Sequence, residues 1–224
     1  MTETIRDAER ETARIEAFSD GVFAIAITLL VLELHVPAVH EGGLRAALLA
    51  QWPSYFGFLT SFATIGIMWL NHHRLFHLIR RVDHTLLLLN VLLLLGVTLV
   101  PFPTAVMAEH LGHPDERLAA GFYSATFVYV AVIFNLLWRY AASARRRPPL
   151  LRVAHDDAEV RAVHRQYLAG PVVYLATFAL AFWNAPASVA GNLLLALWFL
   201  LPPRTAAAGW PRRQQDPRTG GVTS

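Results

Sequence analysis

Arg14-Ile15-Glu16-Ala17-Phe18-Ser19-Asp20-Gly21-Val22-Phe23-Ala24-Ile25-Ala26-Ile27-Thr28-Leu29-Leu30-Val31-Leu32-Glu33-Leu34 decides the fold. Between Gly21 and Leu32 nothing is charged and Thr28 alone is polar, whereas Arg14, Glu16, Ser19 and Asp20 crowd one end and Glu33 closes the other. An apolar helix of this length with polar ends suits a membrane, because a helix satisfies its own backbone where no water can. Wound at about 3.6 residues per turn, Phe18, Gly21, Ile25, Thr28, Leu29, Leu32 and Val36 share one stripe, with Ala24 and Ala26 to either side where neighbours can approach closely. Such a stripe either lines a pore or packs against another helix, and the residues alone leave both readings open.

Working outward, composition supports a membrane chain. Of 224 residues 55% are hydrophobic and only 16% charged, with a mean hydropathy of +0.40, too apolar for an ordinary soluble domain. Cysteine is absent, which excludes disulfides, thiolate metal sites and cysteine nucleophiles. The charged start, Met1 to Glu16, lacks the pattern of a cleaved signal peptide. Apolar runs of membrane-crossing length fall at about Ala17 to Val36, Trp52 to Asn71, Thr85 to Ala108, Ala119 to Ala142, Tyr167 to Trp183 and Ala187 to Leu201, the last of them short. Asn184-Ala185-Pro186 reads as a tight turn between the final two. The expected layout is an arm over 1–13, a six-helix transmembrane domain over 14–202 and a disordered tail over 203–224.

All 19 basic residues are arginine, and seventeen of them lie in the arm, the second and fourth connections and the tail, leaving only Arg45 and Arg117 for the opposite side. By the positive-inside rule both termini are cytoplasmic and the chain is multi-pass in the plasma membrane. The pI near 9.7 then reflects topology, so the Arg145-Arg146-Arg147 run is no nucleic-acid signal. Between Ala141 and Gln166, Pro148-Pro149 and a charged stretch predict a short cytoplasmic helix.

Arg14-x-x-x-Phe18-Ser19-Asp20 followed by Ala24-Ile25-x-x-Thr28-Leu29 resembles the signature of the transmembrane protein 175 family, cation channels of prokaryotic membranes and of animal endosomes and lysosomes. Trp69-x-x-His72-His73-x-x-Phe76 with Asp83, and Pro101-Phe102-Pro103-Thr104, look like later helices of the same family. No second Phe-Ser-Asp occurs, so six spans offer one pore-type helix and cannot surround a channel alone. The resemblance implies a homotetramer, an all-α membrane protein whose first helix lines a central pore. In such a ring Ile25, Leu29 and Leu32 become apolar girdles that gate by dewetting, Ile25 being the tightest by resemblance. Thr28 matches a family threonine that contributes to potassium preference; its hydroxyl would replace part of an ion's hydration shell, or else bond its own backbone one turn back. With no carboxylate ring, selectivity over sodium is expected to be weak.

Arg14 and Asp20 are six residues apart and do not share a regular face, so their partners lie elsewhere, with His72, His73, His77 and Asp83 as candidates. Arg14, Phe18, Ser19, Asp20, Trp69, His73 and Asp83 are read as a structural lock that fixes the pore helix, with Asp20 placed at a helix start. The cluster His72, His73, His77 also admits an intramembrane metal-dependent enzyme, although no glutamate sits between the histidines and Arg74, Arg80 and Arg81 would repel a cation. A proton- or cation-coupled transporter is the other alternative, weakened by the lack of an inverted repeat. The reading is therefore a potassium-permeable leak channel, with no cofactor and no catalysis, whose partners are its own copies, potassium and other monovalent cations, and the bilayer.

Overall fold

The computed structural model describes residues 2–38, 43–144, 148–154 and 157–201, with the backbone alone for residues 2–6 and 159. The expected tail over 203–224 and the arginine run at 145–147 lie outside the described residues. Within them the chain forms α1 (Thr2–Leu29), a 3₁₀ turn (Leu30–Glu33), α2 (Gly43–Ala50), α3 (Trp52–Leu78), α4 (His84–Leu99), α5 (Pro101–His110), α6 (Glu116–Ala141), α7 (Ala158–Ala181) and α8 (Ala185–Leu200). The only β-type pairing among the described residues is a single bridge between Ile79 and Leu151.

Each of the six apolar runs falls on helix, and three helical stretches, Asp7–Glu33, His84–His110 and Glu116–Ala141, are long and apolar enough to cross a membrane. The second of these is α4 and α5 in series. Pro101 and Pro103 withhold two backbone donors, so the helix breaks at Val100 and resumes with a proline at its first position. Asp83 caps α4 by accepting from Leu86 N at 2.9 Å, and Asn184 caps α8 in the same way from Ala187 N at 2.9 Å, which makes the expected turn before the last helix.

Two boundaries differ from the sequence expectation. The arm does not stand apart from the first span, because α1 is already helical from Thr2 and projects about 18 Å before reaching Arg14. The short helix predicted after Pro148-Pro149 is no separate element either. Residues 148–154 bend past the α3 to α4 connection, pairing with it at the single bridge of Leu151 to Ile79, and α7 then starts at Ala158 and continues through Tyr167. No glycine or proline interrupts 158–169, so one helix carries both the charged stretch and the fifth apolar run.

α6 forms the centre, packed against α4, α5, α7 and α8, and it contributes the buried Tyr123, Phe127, Leu137 and Trp138. α1 lies at the edge, touching α3 and α4. Of the apolar window of α1 only 22% is buried in the subunit, against 61% for α6. The α4 to α6 contact depends on Gly96. A β-carbon there would stand 2.7 Å from the Tyr129 ring, which cannot swing aside because its hydroxyl donates to Leu92 O at 2.8 Å. We expect Gly96→Val to destabilise the folded subunit by about 1–3 kcal/mol through overpacking. A lowered thermal unfolding midpoint in detergent checks this, with Gly96→Ala falling between the variant and the wild type.

Candidate functional site

α1 is held from one side. Thr12, Ser19, Phe23, Ala26 and Leu30 are buried, the last four at spacings of four, three and four residues, which is one continuous seam against α3 and α4. Opposite it, Phe18, Gly21, Ile25, Thr28, Leu29, Leu32 and Val36 are all exposed, so the stripe read from the sequence is the open face of the subunit. The 3₁₀ turn at Leu30–Glu33 adjusts that face. Side chains at i and i+3 eclipse in 3₁₀ geometry, which sets Leu32 in line with Leu29 while Leu30 stays buried.

A hydrogen-bond chain fixes the back of the helix. The Ser19 hydroxyl donates to Ile15 O at 2.9 Å, so it must accept from its other neighbour, Asn90 Nδ2, at 3.0 Å. Asn90 therefore presents its carbonyl oxygen to His72 Nε2 at 2.9 Å, and that nitrogen carries the proton. His72 Nδ1 is sealed without a partner among the described residues, and the ring lies between Phe23 and Phe76, at 5.4 and 4.3 Å between centroids. This is a neutral imidazole used as a structural donor. Asn90 was missed by motif reading, yet it is the single amide in a run of leucines, where burial against lipid or apolar neighbours demands a partner.

A second attachment is a two-rung ladder. Glu16 and Asp20 lie one turn apart on α1, as do Trp69 and His73 on α3; Trp69 Nε1 donates to Asp20 Oδ1 at 2.8 Å, and His73 Nδ1 meets Glu16 Oε1 at 2.8 Å. The indole and imidazole stack, 6.1 Å apart at 24°. Asp20 thus finds neither a histidine nor a helix start. It sits well inside α1, nine residues from its end, because the arm is helical too.

The remaining expected lock residues lie elsewhere. Asp83 is at the start of α4, where its second oxygen accepts from Tyr140 Oη at 2.8 Å and ties α4 to the end of α6. Arg14 and Phe18 are exposed on the open face of α1. Thr28 donates to Ile25 O at 2.9 Å. That bond occupies the hydroxyl proton and leaves the oxygen lone pairs toward the open side. No group of three His, Asp or Glu side chains among the described residues is placed to share a metal ion.

An α-helical membrane subunit with one helix gripped along its back and left open along its front is the class that this geometry defines. Residues 14–101 match the family described as the endosomal/lysosomal potassium channel TMEM175. A potassium channel of Chamaesiphon minutus is 53% identical over 196 residues, which cover 86% of this chain and 95% of the relative. One from Streptomyces collinus is 45% identical over 205 residues, 88% of this chain and 98% of the relative. The human endosomal/lysosomal proton channel TMEM175 is 37% identical over 138 residues, 57% of this chain but only 27% of that longer protein. The crystal structure of a lysosomal potassium-selective channel TMEM175 homolog from Chamaesiphon minutus superimposes with a TM-score of 0.77 at 51% identity, covering 85% of this chain and 96% of the other. The chain belongs to the TMEM175 family.

Replacing Asn90 with leucine strands one buried group, His72 Nε2, and removes the donor to Ser19 Oγ, whose own proton stays on Ile15 O. We expect Asn90→Leu to cost about 1–3 kcal/mol for the stranded group and to lower the thermal midpoint of the detergent-solubilised protein markedly. Trp69→Phe, which removes one half-exposed rung, should lower it less.

Proposed function

We propose that four copies of this chain close into a ring with α1 of each at the axis, forming a potassium-permeable, weakly selective channel of the plasma membrane. One observation carries the reading: α1 is bonded and packed along its back, yet Ile25, Thr28, Leu29 and Leu32 on its front are exposed in the subunit. Six apolar helical runs and the arginine distribution support six spans with both termini in the cytoplasm. The names of the relatives support potassium as the permeant ion.

In the ring, Ile25, Leu29 and Leu32 form successive apolar girdles. A narrow apolar ring expels water and stops ions, and a small widening admits both. Thr28 sits between the Ile25 and Leu29 layers and offers four oxygens to a partly dehydrated cation. With hydroxyls as the only polar pore groups, preference for potassium over sodium is modest. Arg14 and Phe18, open in the single subunit, then face neighbouring copies of α1. Ser19, Asp20, Trp69 and His73 hold the pore helix, and Asp83 positions α4 behind it.

Reconstitution in liposomes tests this. Potassium flux should exceed sodium flux, Ile25→Asn should raise potassium flux several-fold by wetting the constriction, and Thr28→Ala should erode the potassium preference. Wild-type liposomes that leak no faster than empty ones, with an intact oligomer, would overturn the reading.

A further inference from the structure

The end of α6 and the start of α7 leave between them an open cleft of about 400 Å³, lined by Ala142, Val160, Arg161, His164 and Arg165. That volume is ordinary for a small-ligand site. Arg161, His164 and Arg165 stand at i, i+3 and i+4, so they share one face of α7, and all three are exposed. Arg139, also exposed, lies one turn before Ala142 on α6 and adds a further positive charge at the same end. Asp157, one turn before Arg161, tempers the field of that guanidinium. The pull on an anion therefore falls mainly to Arg165, with His164 beside it.

The same face continues into the fifth apolar run. Counting on from Arg161 and Arg165 by threes and fours reaches Leu168, Val172 and Leu175, which are 52%, 69% and 54% exposed. One side of α7 thus presents cations at the edge of the membrane and, directly beyond them, an open apolar strip. Phosphate first and hydrocarbon next is the order of parts in a phospholipid.

We infer that this cleft and strip hold an anionic phospholipid, one whose phosphate carries no compensating amine, with its headgroup among Arg161, His164 and Arg165 and an acyl chain along Leu168, Val172 and Leu175. Arginine meets a phosphate through two parallel N–H donors, and the histidine ring supplies another. Any bilayer lipid can cover the strip, but the cations select among them, because a zwitterionic headgroup brings an ammonium that the arginines repel. Basic pockets between membrane helices recognise anionic headgroups by this chemistry. A soluble phosphate would use the cations and leave the strip without a role. None of the lining residues belongs to α1, so the site is independent of the ring and of conduction.

The test uses the full-length protein in phosphatidylcholine nanodiscs containing a phosphatidylglycerol with a diazirine in its acyl chain. After irradiation, adducts on Val172 and Leu175 should saturate and be displaced by unlabelled phosphatidylglycerol, but neither by added phosphatidylcholine of the same chains nor by glycerol phosphate. Adducts on the exposed Leu88 and Leu95 of α4 should rise linearly with probe. Arg165→Gln should weaken displacement roughly fivefold, the share of one arginine, and Arg45→Gln on α2 should leave the curve unchanged. Equal displacement by phosphatidylcholine, as a non-selective boundary lipid would give, overturns the inference. So does displacement by glycerol phosphate, which would make the cleft a site for soluble phosphate, or an Arg165→Gln curve identical to wild type. The wild-type arms decide the matter even if a variant does not fold.

Discussion

One-sided attachment of α1 is the constraint on which the rest of the structure depends. A helix that crosses a membrane in a bundle is usually buried by neighbours or faces lipid with a uniformly apolar surface. Here Ser19, Phe23, Ala26 and Leu30 are buried on one side, and a hydroxyl-bearing stripe is left open on the other. Burial of Ser19 is tolerable because Ile15 O and Asn90 Nδ2 complete its hydrogen bonds and His72 in turn satisfies Asn90, each donor and acceptor fixing the next. Without that chain, the buried seam of α1 would rest on apolar packing, which inside a bilayer has little driving force, and its register would be left to the half-exposed rungs from Asp20 to Trp69 and from Glu16 to His73.

The same logic holds the supporting helices together. Ser61 reaches Thr104 and Tyr123, at 2.8 and 3.1 Å, and joins α3, α5 and α6. Ser124, Ser188, Asn192 and Thr177 join α6, α7 and α8 through bonds of 2.7 to 2.9 Å. Small polar residues thus act as interhelical glue throughout the half of the chain that lacks the signature motif. On the arginine-rich side, residues 148–154 clasp α1 to α3: Arg152 N donates to Leu78 O at 2.9 Å and Arg152 Nη1 meets Glu9 Oε1 at 3.2 Å, while the Thr12 hydroxyl shares its proton between Ala8 O at 3.0 Å and Arg80 O at 3.3 Å. The projecting first turns of α1 are therefore attached to the connection that starts α4.

Much of this was legible in the sequence. The period of Phe18, Gly21, Ile25, Thr28, Leu29 and Leu32 marks the open face because the helix repeat is fixed, and the six apolar runs mark helices because backbone in lipid has no other economical form. The partners of Asp20 and His73 were not legible. Which of several polar residues meets which depends on the antiparallel register of α1 and α3, and that register is set by packing. The pairing of Glu16 with Asp20 one turn apart, matched by Trp69 and His73 one turn apart, is a pattern a search for paired spacings would find. The extension of α1 through residues 2–13 was hidden because its charged residues give no membrane signal, although nothing there breaks a helix.

The absence of cysteine makes the central claim directly testable. Single cysteines are introduced at Thr28→Cys and Leu29→Cys on the open face and at Ala26→Cys on the buried seam, and silver ions are added while potassium flux is recorded from liposomes. Block at positions 28 and 29, with none at position 26, is the predicted result, since a thiolate bound to silver occludes a pore only where the side chain faces the ion path. Equal insensitivity at all three positions, in conducting protein, would contradict the assignment of α1 as the pore-lining helix.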